Sequence, residues 1–221
     1  MRRVAKRSCG ACYLAAMPLT VLAIEGTALT GKTTLAHAIA AARGAAPTLV
    51  VPCYMEMLAP GEAPPSVAAG REQQLAATRM FVRVEARRAA RVAVLTEADD
   101  GLVILDRSVD TIAAHPAGTS RMLGEDTGYA EAVELVAGAR EKVIPDVTVL
   151  LDVPPAVLAR RARTRPGFPT VYYDTRFVDG FMAHFASDRV FTRRVVPLDG
   201  QRDPAALRQH AIDIVEEASR A

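Results

Sequence analysis

The sequence predicts an α/β protein of three layers, in which a five-stranded parallel sheet is flanked by helices. Short runs rich in Val, Ile and Leu recur at 21–24, 48–51, 102–105, 147–151 and 194–198, with longer helical patterns between them. The apolar residues in these runs are continuous more than alternating, which is the pattern of a strand covered on both faces. A second observation points the same way. Gly26-Thr27-Ala28-Leu29-Thr30-Gly31-Lys32-Thr33 fits the pattern G-x-x-x-x-G-K-[ST] and sits between the first apolar run and the first helical stretch. That strand, loop and helix setting is the one in which the pattern cradles phosphate.

Taken in order, the run 21–24 leads into that loop and a helix over 33–43 leaves it. Gly26 and Gly31 let the backbone turn so that its N–H groups converge, and the helix start adds partial positive charge. Gly26, Thr27, Leu29, Thr30, Gly31, Lys32, Thr33 and Thr34 are therefore the expected contacts to ATP. Lys32 can bridge the terminal phosphates and the Thr33 hydroxyl can ligate Mg2+. After the run 48–51 comes a proline-rich insertion at 60–65, and then a long helix predicted over 71–98.

The run 102–105 ends in Asp106-Arg107-Ser108, an acid and a base at the carboxyl end of a buried strand, where open α/β sheets assemble their ligand crevice. Asp106 is a candidate Mg2+ ligand or a base toward an attacking hydroxyl, and Arg107 a planar fork for the acceptor. No helix is predicted between 109 and 128. Helices over 129–142, 155–165, 175–187 and 204–219, with the runs 147–151 and 194–198, complete the order. Arginines crowd at 160, 161, 163 and 165, just before the break at Pro166-Gly167. They wrap around the helix, so they cannot all serve one ligand, but a cationic segment beside a triphosphate suits a closing lid.

At 221 residues the chain suits a single domain, with the fold beginning at 17 and residues 1–16 a loose extension. Its 27 basic and 25 acidic residues leave a net charge of +2, which gives no reason to expect nucleic acid or a membrane surface as partner. The arginine cluster also lacks the interleaved aromatic residues of a single-strand platform. Three cysteines form no even framework, and Cys9-Gly10-Ala11-Cys12 lacks the second pair that a zinc site needs, so a reducing, cytoplasmic setting is expected. The basic start resembles a secretory leader, but the apolar stretch runs on into the first strand, so cleavage there would remove core.

Beyond the loop, the chain from about Pro18 to Ser219 resembles the thymidylate kinase and deoxynucleoside kinase group. Asp106-Arg107-Ser108-Val109-Asp110-Thr111-Ile112-Ala113-Ala114-His115 is similar to the thymidylate kinase segment D-R-Y-x-x-S-x-x-A-Y, with Ser108 and His115 at the tyrosine positions. Leu151-Asp152-Val153-Pro154-Pro155 followed by Arg161, Arg163 and Arg165 resembles the strand that enters the family's lid, a spacing that passes over Arg160. Val196-Pro197-Leu198-Asp199-Gly200 looks like the final strand and adenine-contacting loop.

The resemblance implies an ATP- and Mg2+-dependent kinase acting on a nucleoside, a nucleotide or a nucleoside-like small molecule. Arg161 and Arg165 would be its lid residues, and a homodimer is compatible with it. An antibiotic-type phosphotransferase would use the same parts with a different acceptor pocket. A nucleotide switch is disfavoured, since no N-K-x-D or L-S-G-G-Q segment is present. Two departures concern the acceptor. Ala28 stands where thymidylate kinases carry an aspartate, and Val51-Pro52-Cys53-Tyr54-Met55-Glu56 lacks their arginine for the substrate phosphate. Glu56 matches the glutamate that acts as base in deoxynucleoside kinases, which tilts the expectation toward an unphosphorylated hydroxyl. Arg83, Arg87 and Arg88 are further candidate acceptor contacts.

Overall fold

The structure, a computed structural model, describes residues 19–65, 70–94 and 101–220. The extension 1–16, the Cys9 and Cys12 pair, and the predicted helical residues 95–98 lie outside them. Strands β1 (Thr20–Glu25), β2 (Thr48–Val51), β3 (Leu102–Asp106), β4 (Val147–Asp152) and β5 (Val195–Asp199) form one sheet in the order β2-β3-β1-β4-β5. Every neighbouring pair is parallel, so all five carboxyl ends share one edge. The helices are α1 (Lys32–Ala42), α2 (Arg71–Ala93), α3 (Val109–Leu123), α4 (Tyr129–Ala137), α5 (Pro155–Ala162), α6 (Thr175–Phe185) and α7 (Pro204–Ala218).

Alternate side chains along each strand settle the layers. Leu22 and Ile24 of β1, Ile104 of β3, and Val149 and Leu151 of β4 pack with Leu35 and Ile39 of α1 and with Leu207 and Ile214 of α7. Their neighbours turn the other way. Ala23, Val51, Val103 and Leu105 meet Val92 of α2, while Leu150 meets Ala114 of α3 and Phe177 and Phe181 of α6. The central strands β1, β3 and β4 are thus buried on both faces, which is why they read as nearly unbroken apolar runs. Each large side chain so buried contributes about 1.5–3 kcal/mol.

Helix α3 corrects the sequence reading, which placed no helix there. Pro116 lies in its interior and Gly118 two residues on, both of which disfavour a helix in isolation. Packing overrides that preference. A Cβ on Gly118 would sit 2.8 Å from the Phe177 ring, and one on Gly180 of α6 would sit 2.6 Å from the Ala117 carbonyl oxygen. The two glycines let α3 and α6 approach closely, so the breakers of an isolated helix are what this crossing needs. Ser108 caps the start of α3 by accepting from the Asp110 N–H at 3.2 Å, and Gly124 ends it at φ 75°. Among the described residues no helix is long and apolar enough to cross a membrane.

Candidate active site

The carboxyl edge of the sheet gathers the loop after β1, the turn after β3, and the segments after β2, β4 and β5. In the first loop Gly26 has φ 133°, and a Cβ there would lie 2.6 Å from the Leu151 carbonyl oxygen, so only glycine fits between β1 and β4. The loop ends at Gly31, which begins α1 with no side chain capping it. The first N–H groups of α1 therefore remain available to an anion. Lys32 is buried and folds back into the loop. Its Nζ donates to the Thr27 carbonyl at 2.6 Å and to Thr30 Oγ1 at 3.4 Å. Burial lowers its pKa to about 7, with Arg107 acting the same way and Asp106 opposing.

Thr33 leaves the loop toward β3 and donates its hydroxyl to Asp106 Oδ2 at 2.5 Å. The other oxygen, Asp106 Oδ1, is buried without a hydrogen-bond partner. Among the described residues no three His, Cys, Asp or Glu side chains gather into a complete cage for a metal ion. A threonine hydroxyl beside a carboxylate with one oxygen unspent does fit Mg2+, which is usually held by one or two protein oxygens together with phosphates and water.

Only two non-glycine residues among those described have positive φ, Leu29 at 68° and Arg107 at 71°. Both lie at this edge, and strain of this kind persists only where the surroundings over-determine it. At Arg107 they do. The Arg107 N–H donates to the Ile24 carbonyl at 3.1 Å, and its guanidinium reaches the Gly26 carbonyl at 3.3 Å. Arg88 holds the same turn from α2, donating to the Arg107 carbonyl at 2.7 Å and the Asp106 carbonyl at 3.2 Å.

Glu25, the last residue of β1, fixes the turn from below. It is wholly buried and accepts from the Ser108 N–H at 2.6 Å, the Ser108 hydroxyl at 2.9 Å and the Thr111 hydroxyl at 2.6 Å. Burial pushes its carboxyl pKa up, against the pull of Arg107. Sequence reasoning passed over Glu25. The available signal was a charge closing an otherwise apolar strand one residue before the loop.

A cavity of about 560 Å3 opens beside this turn. Its walls come from the segment after β2, from α2, from the Thr111, Ile112, His115 and Pro116 face of α3, and from Pro169–Tyr172. Arg107 lies in the wall, so one guanidinium touches both the cavity and the loop after β1. Among the described lining residues it carries the only charge, and none is a carboxylate. Glu56, expected to face an acceptor hydroxyl, is exposed on the 3-10 turn after β2 and does not line the cavity.

The arginines of α2 also fall elsewhere than expected. Arg83 is exposed, and its guanidinium donates to the Arg79 carbonyl of its own helix. Arg87 forms a two-pronged pair with Glu62 at 2.7 and 2.8 Å, which lowers the Glu62 pKa to about 2. Arg88 is fully buried, bonded to Glu85 at 2.9 Å and lying 4.2 Å from the centre of the Tyr54 ring. It is a positioning residue, not an acceptor contact. Helical spacing gave the clue, since Leu75, Thr78, Glu85, Arg88 and Val92 share the buried face of α2.

In the arginine cluster the structure separates one residue from the rest. Arg161 donates to the Leu29 carbonyl at 2.8 Å and to the Gly200 carbonyl at 3.4 Å, joining α5 to the loop after β1 and to the end of β5. Arg160, Arg163 and Arg165 are exposed.

His115 turns an imidazole toward the cavity. Burial, with Arg107 and Lys32 adding to it, lowers its pKa to about 3. The folded chain therefore refuses a proton that the unfolded chain accepts below about 6.5. Stability falls as pH drops from about 6.5 toward 3, by at most ~1.4 kcal/mol per unit from this group. His115→Phe keeps a ring and removes the titration, so its urea-unfolding free energy relative to wild type is expected to rise through that window. A difference that stays flat with pH would show that His115 is not the group responsible.

Set against known proteins, the chain matches no family model and no curated protein.

Proposed function

We propose that the chain is an ATP- and Mg2+-dependent phosphotransferase whose acceptor, a hydroxyl compound of about nucleoside size, occupies the cavity beside Arg107. One observation carries the reading: Lys32, the uncapped start of α1 and the Thr33–Asp106 pair with its unspent Oδ1 lie at one edge, and Arg107 joins that edge to the neighbouring cavity. The loop after β1 is then a phosphate loop. Its N–H groups and Lys32 would hold the triphosphate, and Thr33 and Asp106 would hold Mg2+, which would supply charge stabilisation to phosphoryl transfer. Arg107 orients the acceptor. A base within the cavity is not required, because a loose phosphoryl-transfer transition state asks mainly for positioning and charge stabilisation. Asp106 adjoins Arg107 in sequence and so stands between the loop after β1 and the cavity wall.

An antibiotic-type or other non-nucleotide alcohol remains the second reading, favoured by the mostly apolar lining. The purified chain is expected to release ADP only when an acceptor is supplied. Acceptor-independent hydrolysis would instead mark a nucleotide switch.

Arg161 tests the closing segment. As the arginine already placed over the loop, its replacement by alanine is expected to lower kcat about 10- to 100-fold, the worth of a hydrogen bond to a charged group, with a smaller change in ATP affinity. Arg160→Ala and Arg165→Ala start from exposed positions and should do less. Equal and mild effects of all three would mean a solvated helix face and no lid.

A further inference from the structure

We infer that His115 determines acceptor specificity: its imidazole, gripped edge-on by three aromatic rings, hydrogen-bonds a polar edge of an uncharged, ring-bearing alcohol, and the cavity turns away acceptors that already carry a phosphate. The inference rests on the reading of the cavity as the acceptor site.

The grip is geometric. Tyr172, Phe177 and Phe181 stand 5.9, 5.5 and 5.8 Å from the imidazole centre, at interplanar angles of 80°, 65° and 88°. Such edge contacts fix the ring plane. No hydrogen bond within the described residues engages its nitrogens, while three hydroxyls of the lining already donate within the protein. The Tyr54 hydroxyl donates to Glu85 at 2.7 Å, Thr78 to the Gln74 carbonyl at 3.0 Å and Thr111 to Glu25 at 2.6 Å. His115 therefore has hydrogen-bonding capacity left for a ligand. Its pKa of about 3 keeps it neutral, able to donate from one nitrogen and accept at the other.

Charge decides what is refused. A phosphate monoester brings nearly two negative charges, and this lining offers a single guanidinium, itself shared with the Gly26 carbonyl and Thr111. Taking such a group out of water without matching donors is strongly unfavourable. Phe81, Tyr54 and Tyr172 give the lining aromatic surface that suits a ring. The acceptor that fits is a neutral alcohol bearing a flat ring, whether nucleoside or aryl alcohol.

The test uses matched pairs on the whole chain: thymidine, cytidine, adenosine and 2-(4-hydroxyphenyl)ethanol, each against its phosphate monoester. Binding is measured by titration calorimetry in the presence of a non-hydrolysable ATP analogue, and turnover by ADP release. At least one neutral member is expected to bind about tenfold or more tightly than its phosphate, and His115→Phe to weaken that binding about tenfold while ATP affinity stays within a factor of about two. His115→Gln should recover part of the loss, which a purely structural role would not allow.

A preference for the phosphorylated members, no binding by any pair, or unchanged affinity in His115→Phe would overturn the inference. Because binding is read directly, selective binding without transfer would defeat the phosphotransferase reading and leave the specificity of the cavity standing.

Discussion

Arg88→Ala is expected to destabilise the fold by about 3–5 kcal/mol, the cost of removing one partner from a buried ion pair. Arg88 and Glu85 are both essentially unexposed, and burial works against the Arg88 charge while Tyr54 and Glu85 hold its pKa up. Without the guanidinium, Glu85 keeps the Tyr54 hydroxyl and the Val143 N–H as donors but loses its counter-charge. The carbonyls of Pro52, Asp106 and Arg107 lose a donor as well.

The loss should be visible as a lower urea midpoint with an unchanged denaturant slope. Removing both charges in Glu85→Gln/Arg88→Met should cost less than Arg88→Met alone, because no uncompensated carboxylate remains. Where Arg88 variants still fold, the turn at Arg107 is the place to look for damage, since it holds a positive φ that Arg88 helps to impose. An Arg88→Ala protein as stable as wild type would mean that water reaches this network and the burial is not as drawn.

Regular structure was legible where burial leaves a one-dimensional trace. β2 was placed at 48–51 to the residue, and the remaining strands differ from the predicted runs by one residue at one or both ends, because Val, Ile and Leu dominate each strand, the partly exposed edge strands β2 and β5 included. The helices that carry an apolar face were located, although α4 and α5 end five and three residues before the predicted ends at 142 and 165, and α3 was missed. Its sequence mixes Pro116, Gly118 and short side chains, and its reason for being helical lies on α6, where Gly180 and Phe177 close the crossing. That information is non-local.

The candidate site divides in the same way. Lys32, Thr33, Asp106 and Arg107 were found because loop chemistry and strand ends are local features, and the structure does bring them to one edge. Glu56 was assigned by position after β2, yet the direction of a side chain on a short 3-10 turn is not encoded in its neighbours, and it faces out. The roles of Glu25 and Arg88 lay hidden for a related reason. A charge is read from sequence as a surface group unless its partners, here Ser108 and Thr111 for Glu25 and Glu85 with three carbonyls for Arg88, are known. His115 was noted only as a replaced tyrosine, and its aromatic cage brings together α3, α6 and the 3-10 turn at Thr170–Tyr173.

Lys32→Ala is expected to lower kcat by about 10²–10³, or ~2.7–4 kcal/mol, the cost of deleting one preorganised electrostatic donor at a transition state. The mechanism is specific to where Nζ sits. It now rests on the Thr27 carbonyl inside the loop, beside Thr30, so a triphosphate entering the loop replaces a neutral carbonyl partner with an anionic one. On the proposed phosphotransferase reading, that exchange would favour the ammonium form, whose pKa burial has lowered to about 7, and the gain would grow as charge develops on the transferring phosphoryl group.

Stability should move the other way. Burying the ammonium disfavours its charged form, so alanine at this position relieves a cost, and the melting temperature should hold or rise. The pairing of a large loss in turnover with an intact fold is the outcome that distinguishes a catalytic lysine from a structural one. Lys32→Arg keeps the charge but changes a compact ammonium for a wide planar fork, and it should recover little activity in so tight a loop. Near-normal turnover in a folded Lys32→Ala protein would remove the basis for reading the loop after β1 as a phosphate site.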